Sequence, residues 1–118
     1  MNNQELGAYG ESLAVNHLKK EQYEILDMNY RFGRNEVDII AMYKGYIRFV
    51  EVKTRVTAEI GEPWRAVTIA KQKQIIKVAQ HYLLENNIDA DTKFDIVSIV
   101  SNSFRTNIEV IQDAFIPM

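Results

Sequence analysis

The chain has 118 residues, enough for one hydrophobic core and too few for two. Hydrophobic residues make up 47% and charged residues 25%, which is typical of a soluble globular fold. The absence of cysteine excludes a disulfide framework and a thiolate metal site. The formal net charge of −2 argues against a strongly basic nucleic-acid clamp, but not against an enzyme whose bound cation meets a phosphate. We therefore expect a single domain over residues 1–118.

The spacing of apolar residues, glycines and prolines predicts the elements in chain order. They are a helix at 4–21, strands at 23–30, 36–43 and 46–54, a helix at 68–86, and strands at 93–100 and 105–111. Leu6 and Leu18 lie on the apolar face of the first helix, Thr68 is the expected N-cap of the second, and residues 56–64 are an expected loop. The order α-β-β-β-α-β-β predicts an α/β fold with a mixed central sheet flanked by helices.

The N-terminus carries no sign of a targeting segment. It lacks the basic start and long apolar run of a signal peptide, and apolar runs elsewhere are only a few residues long. A composition without cysteine also suits a reducing compartment. We therefore expect a cytoplasmic protein with no membrane-spanning segment.

A predicted hairpin in the middle of the chain carries the strongest inference about function. A two-residue loop at Lys44-Gly45 would set Asp38 directly opposite Glu51. Because side chains alternate along a strand, one face is then expected to carry Glu36, Asp38, Ile40, Met42, Ile47, Phe49, Glu51 and Lys53. The other face is expected to carry Val37, Ile39, Ala41, Val50 and Val52. A loop of odd length would instead separate Asp38 from Glu51 across the sheet.

Two opposed carboxylates at this position point to a metal ion. Directly opposed side chains are about 5 Å apart, where like charges repel by roughly 3 kcal/mol at an effective dielectric of about 20. A fold tolerates this repulsion if one carboxyl is protonated or if a cation lies between the two. Mg²⁺ and Mn²⁺ prefer such oxygen ligands, polarise phosphate oxygens and activate water. Lys53, two residues after Glu51, would stabilise charge that develops on the phosphate.

The same charges also have a purely structural interpretation. In it, a cross-strand charge cluster at a solvated sheet end is formed by Glu36, Asp38, Glu51 and Lys53. An isolated Glu-x-Lys triplet favours that interpretation. The position of this triplet after an apolar strand, facing an aspartate, favours the metal site instead.

Both predicted helices offer further candidates. Glu11 is either a surface residue or a third metal ligand, and Gly7 and Gly10 beside it either pack the helix closely on the sheet or bring Glu11 toward the ion. Gln72 falls inside an apolar arc, so its amide either bonds to the backbone or points into the pocket. Lys71 at the edge of that arc either faces a phosphate or belongs to a solvated face.

Basic and aromatic residues near the predicted pocket suggest a nucleic-acid contact. A local basic rim, or simply scattered surface arginines, would be formed by Arg31, Arg34, Arg55 and Arg65. Trp64 would stack on a base or plug the core. With Lys71, the residues Arg31, Arg34 and Arg55 are the predicted nucleic-acid contacts, with DNA as the favoured partner.

A set of ordered motifs resembles the YraN-like family of small bacterial proteins. The motifs are Gly7-x-x-Gly10-Glu11, Asn29-Tyr30-Arg31, Asn35-Glu36-Val37-Asp38-Ile39-Ile40-Ala41 and Phe49-Val50-Glu51-Val52-Lys53-Thr54-Arg55, followed by Ala66-Val67, Lys71-Gln72, Phe94-Asp95-Ile96-Val97 and Ala114-Phe115. The resemblance covers nearly the whole chain. That family is similar to archaeal Holliday junction resolvases and is placed in the PD-(D/E)XK nuclease superfamily.

The resemblance implies a restriction-endonuclease-like core, which agrees with the predicted element order. By the superfamily's pattern, the implied site consists of Asp38 and Glu51 as metal ligands, Glu11 as an additional acidic residue, Lys53 as the catalytic lysine and Gln72 on the helix that lines such sites. Asn35 stands where the family usually has glycine, and asparagine tolerates a positive φ better than most residues.

Functions from three classes are compatible with the sequence. We favour a Mg²⁺- or Mn²⁺-dependent endonuclease that hydrolyses phosphodiester bonds of DNA, with branched or damaged DNA among the candidate substrates. The alternatives are a non-catalytic module with a nuclease-like fold that binds nucleic acid or a protein, and a structural or oligomeric protein. Many enzymes of the superfamily cut both strands as dimers, so a homodimer is compatible with the first function.

Overall fold

A computed structural model describes residues 1–57 and 67–116 of the chain. Most of the predicted loop at 56–64 lies outside the described residues, and so do Trp64 and Arg65. No helix in the part that the structure describes is long and apolar enough to cross a membrane.

In residues 1–57 and 67–116, two helices and five strands follow one another in the predicted order α-β-β-β-α-β-β. The elements are α1 (Asn3–Lys20), β1 (Glu24–Phe32), β2 (Asn35–Tyr43), β3 (Tyr46–Arg55), α2 (Ile69–Glu85), β4 (Thr92–Ser101) and β5 (Thr106–Ile111). Their ends differ from the predicted ends by at most two residues, as fraying and turn geometry commonly cause. The strands form one sheet in the order β1-β2-β3-β4-β5, antiparallel except for the parallel pair β3–β4, which α2 connects. The predicted mixed sheet is therefore confirmed.

Both helices begin at a side-chain cap that the sequence supplies. The Asn2 side chain accepts the backbone N–H of Glu5, whose own side chain accepts the N–H of Asn2, a reciprocal capping box. Thr68 accepts the N–H of Lys71 at 3.2 Å, so the predicted N-cap of α2 is confirmed. These caps fix where α1 and α2 begin. Glu11, in the middle of α1, and Lys71, in the first turn of α2, both approach one end of the sheet.

Two apolar clusters cover opposite faces of the sheet. The buried residues on the α1 side are Ala14, Val15, Leu18, Tyr23, Ile39, Ala41, Val50, Val97 and Ile99. Those on the α2 side are Val37, Ile40, Ile47, Phe49, Val67, Ile75, Val78, Ala79, Tyr82, Phe94 and Ile96. Because both faces are covered, polar groups that reach into the sheet are withdrawn from bulk water.

The hairpin register predicted from Lys44-Gly45 is confirmed over the turn half of the hairpin. The two loop residues have φ angles of 51° and 82°, the combination that a tight two-residue hairpin turn requires. Pairing then runs regularly from Tyr43–Tyr46 to Ile39–Val50, where the antiparallel pairs end. The opposed pair predicted one step further, Asp38 with Glu51, is not part of this ladder.

The face predicted for Val37 is wrong. Val37 packs with Ile40 on the α2 side, although strict alternation placed them on opposite faces. The alternation is interrupted between them at Asp38, which lies next to Asn29 of β1. Asn29 has a φ of 52°, a left-handed conformation that breaks the regular pleat of a strand. The alternation of faces is therefore interrupted at Asp38, the residue on which the prediction of a metal site rests.

The hairpin end of the sheet is held by a buried ion pair. Arg48 Nη1 lies 3.1 and 3.2 Å from the two carboxylate oxygens of Asp95, and these residues are 4% and 0% exposed. Asp95 also accepts the N–H of Asp113 at 2.9 Å and the hydroxyl of Tyr23 at 3.4 Å. The pair thus ties the segment after β5 to β3 and β4, with most of its polar atoms satisfied.

Asp95→Asn keeps the side-chain shape but leaves Arg48 buried without a countercharge. We expect it to lower the free energy of unfolding by about 3–5 kcal/mol, measured by urea denaturation. Asp113 also contacts Arg48 at 3.3 Å but is 54% exposed, so Asp113→Asn should cost less than about 1 kcal/mol. Equal losses in the two variants would contradict this assignment.

Candidate metal centre

The candidate site lies where β2 and β3 separate. Beyond the last antiparallel pair, Asp38 Oδ2 accepts the backbone N–H of Val52 at 2.8 Å. A side chain thus replaces the strand-to-strand bond that regular pairing would supply, while β3 continues beside β4. The Asp38 carboxylate therefore sits in the gap between the two strands, within reach of groups from both faces.

On the α1 side, three carboxylates converge on this gap. Single oxygens of Glu11, Glu36 and Asp38 all lie within 4.8 Å of one another. Burial and the charge of Asp38 raise the pKa of Glu11. The structure thus brings the predicted third acidic residue, Glu11, to Asp38, and adds Glu36, which the sequence analysis treated only as part of a charge cluster.

On the α2 side, Glu51 is held against a lysine. Its Oε2 lies 4.0 Å from Lys71 Nζ, and its side chain is only 13% exposed. Its Oε1 is buried and accepts no hydrogen bond from the residues that the structure describes. Burial, followed by the charge of Asp38, raises the pKa of Glu51 to about 8. Burial likewise raises the pKa of Asp38, against the opposing effect of the Val52 N–H.

These groups fit a hard divalent cation. Every candidate ligand is a carboxylate oxygen, the donor type that Mg²⁺ and Mn²⁺ prefer. A buried carboxylate oxygen without a donor is costly, and Glu51 Oε1 is such an atom. A cation here would satisfy that oxygen and oppose the two causes, burial and then the charge of Asp38, that raise the pKa values of Glu11 and Glu51.

The close approach of α1 to β3 depends on Gly10. A Cβ atom at this position would lie 1.8 Å from Thr54 Oγ1 and 2.8 Å from Thr54 Cβ. The helix backbone therefore rests directly on β3, which places the next residue, Glu11, over the gap. Gly7 shows no such contact, because a Cβ atom there would meet no atom of the described residues within 4 Å. Of the two predicted packing glycines, Gly10 is therefore the one with a close contact in the described part of the chain.

The predicted catalytic residues Lys53 and Gln72 lie outside the carboxylate group. Lys53 is exposed and lines a cleft of about 410 Å³ that also contains Glu11 and Arg55. Gln72 donates its amide N–H to the carbonyl of Val67 at 3.2 Å, which is the backbone role that the sequence left open. The ammonium that most affects Asp38 and Glu51 is instead that of Lys71.

The four basic residues that were predicted to contact nucleic acid differ in how close they lie to the carboxylates. Arg31 Nη2 lies 2.8 Å from Glu36 Oε2 and is 72% exposed, so it borders the acidic group. Arg34 is exposed in the loop between β1 and β2, and Arg55 is partly buried beside the cleft. Lys71 contacts Glu51 rather than standing on a solvated face. Arg31 and Arg55 therefore lie beside a site whose centre is acidic, whereas no contact of the described residues places Arg34 at it.

Sequence reasoning assigned no role to Asn29. Its amide lies between Glu11 and Glu36, and with the nitrogen facing them it is 3.0 Å from Glu36 Oε1 and 3.3 Å from both Glu11 oxygens. Strand periodicity gave no signal of this position, because a left-handed residue inside a strand breaks the period. Asn29 appeared only as a member of the Asn29-Tyr30-Arg31 motif.

A family model described as "Uncharacterised protein family UPF0102" matches residues 10–99, the segment that spans the whole candidate site. The chain belongs to this family. It is 46% identical over 111 residues to a UPF0102 protein of Christiangramia forsetii, covering 94% of this chain and 93% of that relative. It is 43% identical over 116 residues to a UPF0102 protein of Alkaliphilus oremlandii, covering 96% and 99%. The YraN-like family membership expected from the motifs is thus confirmed.

Gly10→Ala would drive a methyl group into Thr54. We expect a loss of about 1–3 kcal/mol in the free energy of unfolding, measured by urea denaturation, because the contact is with a packed strand. Gly7→Ala is the matched control and should stabilise by up to about 1 kcal/mol through helix propensity. If adding Thr54→Ala to Gly10→Ala recovers none of the lost free energy of unfolding, the contact with Thr54 is not the cause of that loss.

The pKa of Glu51, raised to about 8 from its ordinary 4.5, makes stability depend on pH. The folded protein keeps a proton that the unfolded chain releases, so without metal its stability should fall as pH rises from about 4.5 to about 8. Glu51→Gln should remove most of that fall and raise the free energy of unfolding at pH 8 above that of wild type.

Urea denaturation at pH 5 and pH 8 in a chelator measures this effect. Glu109→Gln, an exposed change on β5, is the control and should leave the pH dependence of wild type in place. A Glu51→Gln variant that loses stability between pH 5 and pH 8 as steeply as wild type would contradict the assignment.

Proposed function

We propose that this UPF0102 protein is a Mg²⁺- or Mn²⁺-dependent endonuclease of the PD-(D/E)XK superfamily that hydrolyses phosphodiester bonds of DNA. One observation carries the proposal. Two partly buried carboxylates, Asp38 and Glu51, lie where β2 and β3 separate, the charge of Asp38 raises the pKa of Glu51, and Glu51 Oε1 has no donor among the described residues. Branched or damaged DNA are the candidate substrates.

The chain's own residues have distinct roles in this proposal. Asp38, Glu51 and Glu11 would hold the cation. Oxygens of Asp38, Glu11 and Glu36 lie within 4.8 Å of one another, and Glu51 would add its Oε1, which has no donor among the described residues. A divalent cation bound there supplies Lewis-acid activation of water and of a phosphate oxygen. The Val52 N–H fixes the Asp38 carboxylate at 2.8 Å, so that this ligand needs no reorganisation when the cation binds.

The two lysines supply positive charge from different sides. Lys53 lines the cleft beside Glu11 and would meet the phosphate there, stabilising negative charge as it develops. Lys71 pairs with Glu51 and partly compensates its charge before a cation arrives. Gln72 has a structural role at the start of α2, because its amide N–H donates a hydrogen bond to the carbonyl of Val67.

Nucleic acid would reach the site along a surface with local positive charge. Arg31 and Arg55 lie beside the acidic centre and Arg34 is exposed in the loop between β1 and β2, although the whole chain has a net charge of −2. Such a rim attracts the phosphate backbone without requiring a basic protein. A homodimer, which would offer one site to each DNA strand, and a cytoplasmic location belong to the same proposal.

A non-catalytic nucleic-acid- or protein-binding module is the second candidate. The Lys71–Glu51 contact at 4.0 Å favours it, because the chain already brings a positive charge of its own to the carboxylates. A protein that needs no metal would use this arrangement as a permanent charge network.

The test is cleavage of branched, flapped, single-stranded and duplex DNA by the purified protein with Mg²⁺ or Mn²⁺. We expect Asp38→Asn to reduce cleavage by more than about 100-fold, since even outer partners of metal ligands cost 10–100-fold. Glu109→Gln, which changes an exposed carboxylate on β5, should cleave like wild type. Cleavage that survives Asp38→Asn, or a wild type that cuts no substrate, argues against an enzyme.

Thermal melting with metal separates the two candidates. A cation that binds the folded state at 100 times its dissociation constant stabilises it by about 2.7 kcal/mol. The endonuclease should therefore melt at a higher temperature in millimolar Mg²⁺ or Mn²⁺, and Asp38→Asn should lose that increase. DNA binding with no metal-dependent increase in wild type supports the binding module.

A further inference from the structure

Asn29 occupies a position in β1 that few residue types tolerate. Its φ of 52° lies in the left-handed region, where residues other than glycine, asparagine and aspartate are strained. It lies beside Asp38, at the interruption of the sheet. This backbone conformation turns its side chain to the carboxylates of Glu11 and Glu36.

The amide of Asn29 meets only acceptors on that side. Its Nδ2 lies 3.0 Å from Glu36 Oε1 and 3.3 Å from each oxygen of Glu11, so it donates to both carboxylates and holds them together. An amide oxygen at the same place would be repelled by these three oxygens unless a cation lay among them.

We propose that Asn29 is a fourth oxygen ligand of the site, and that its amide turns over when a divalent cation binds. This inference rests on the proposed metal-dependent function. Without a cation, Nδ2 donates to Glu11 and Glu36, which keeps the two carboxylates close. With a cation, Oδ1 faces inward and coordinates it.

Simple chemistry supports this turn. The terminal torsion of an asparagine side chain is broad and roughly two-fold, so the turned amide occupies the same space. An amide oxygen is a hard ligand for Mg²⁺ or Mn²⁺ that brings no further negative charge to Glu11, Glu36 and Asp38. Without a cation, Asn29 thus holds the carboxylates together by donating hydrogen bonds. With a cation bound, the same residue supplies a ligand oxygen.

Two substitutions at Asn29 are compatible with the left-handed backbone. Asn29→Gly removes the amide, and we expect it to weaken Mn²⁺ binding about 10-fold in calorimetric titration. Asn29→Asp keeps an oxygen but loses the donor. We expect it to bind Mn²⁺ at least as tightly as wild type, and to melt at a lower temperature than wild type only when metal is absent.

Asn107, exposed on the edge strand β5, provides matched controls. Asn107→Gly and Asn107→Asp should leave Mn²⁺ affinity unchanged. In a ¹⁵N nuclear magnetic resonance titration of wild type with diamagnetic Mg²⁺, the side-chain NH₂ signals of Asn29 should shift more than those of Asn107. If the Asn29 NH₂ signals do not shift when the protein is saturated with Mg²⁺, the proposal that the amide turns over is wrong.

The binding measurements distinguish this inference from the function beneath it. If wild type shows no saturable Mn²⁺ binding, the metal site fails and the role of Asn29 fails with it. If wild type binds and Asn29→Gly binds equally well, only the role of Asn29 is overturned. Weaker binding by Asn29→Asp than by wild type would also overturn it, because an inward oxygen is retained in that variant.

Discussion

The hydrogen bond from the Val52 N–H to Asp38 is the contact around which the site is organised. It ends the antiparallel pairing of β2 with β3 and fixes a carboxylate in the gap between them. Glu11 reaches that gap from the α1 side, and Glu51 lies at it beside Lys71 of α2. With continuous pairing, Asp38 would stand on one face and meet only one of these groups.

Charged side chains are neutralised by a partner at one end of the sheet and accumulate with the same sign at the other. At the hairpin end, Arg48 and Asp95 neutralise each other and receive further hydrogen bonds. At the other end, acidic side chains accumulate, and burial raises the pKa values of Asp38 and Glu51. The first arrangement holds the fold together, whereas the second is a local cost of the kind that natural proteins retain where function requires it.

Local signals made most of the fold predictable from the sequence. The two-residue loop at Lys44-Gly45 determines the hairpin register, and Thr68 determines the start of α2. The strand pattern singled out Asp38 and Glu51, and the face of the first helix singled out Glu11, which the structure brings to Asp38. The position of Val37 and the contacts of Asn29 were not predictable, because the strict alternation of faces fails at Asp38 in β2 and Asn29 in β1 has a left-handed backbone.

The mixed sheet also implies an order of assembly. The β2–β3 hairpin closes through two residues, a process that takes about 1–10 μs, whereas the parallel β3–β4 pair must first close the crossover that contains α2. Asp38 and Glu51 therefore come together while water still screens them, and their burial follows when the helices dock. A bound cation would then stabilise contacts that form late, so it would prolong the lifetime of the native state rather than hasten folding.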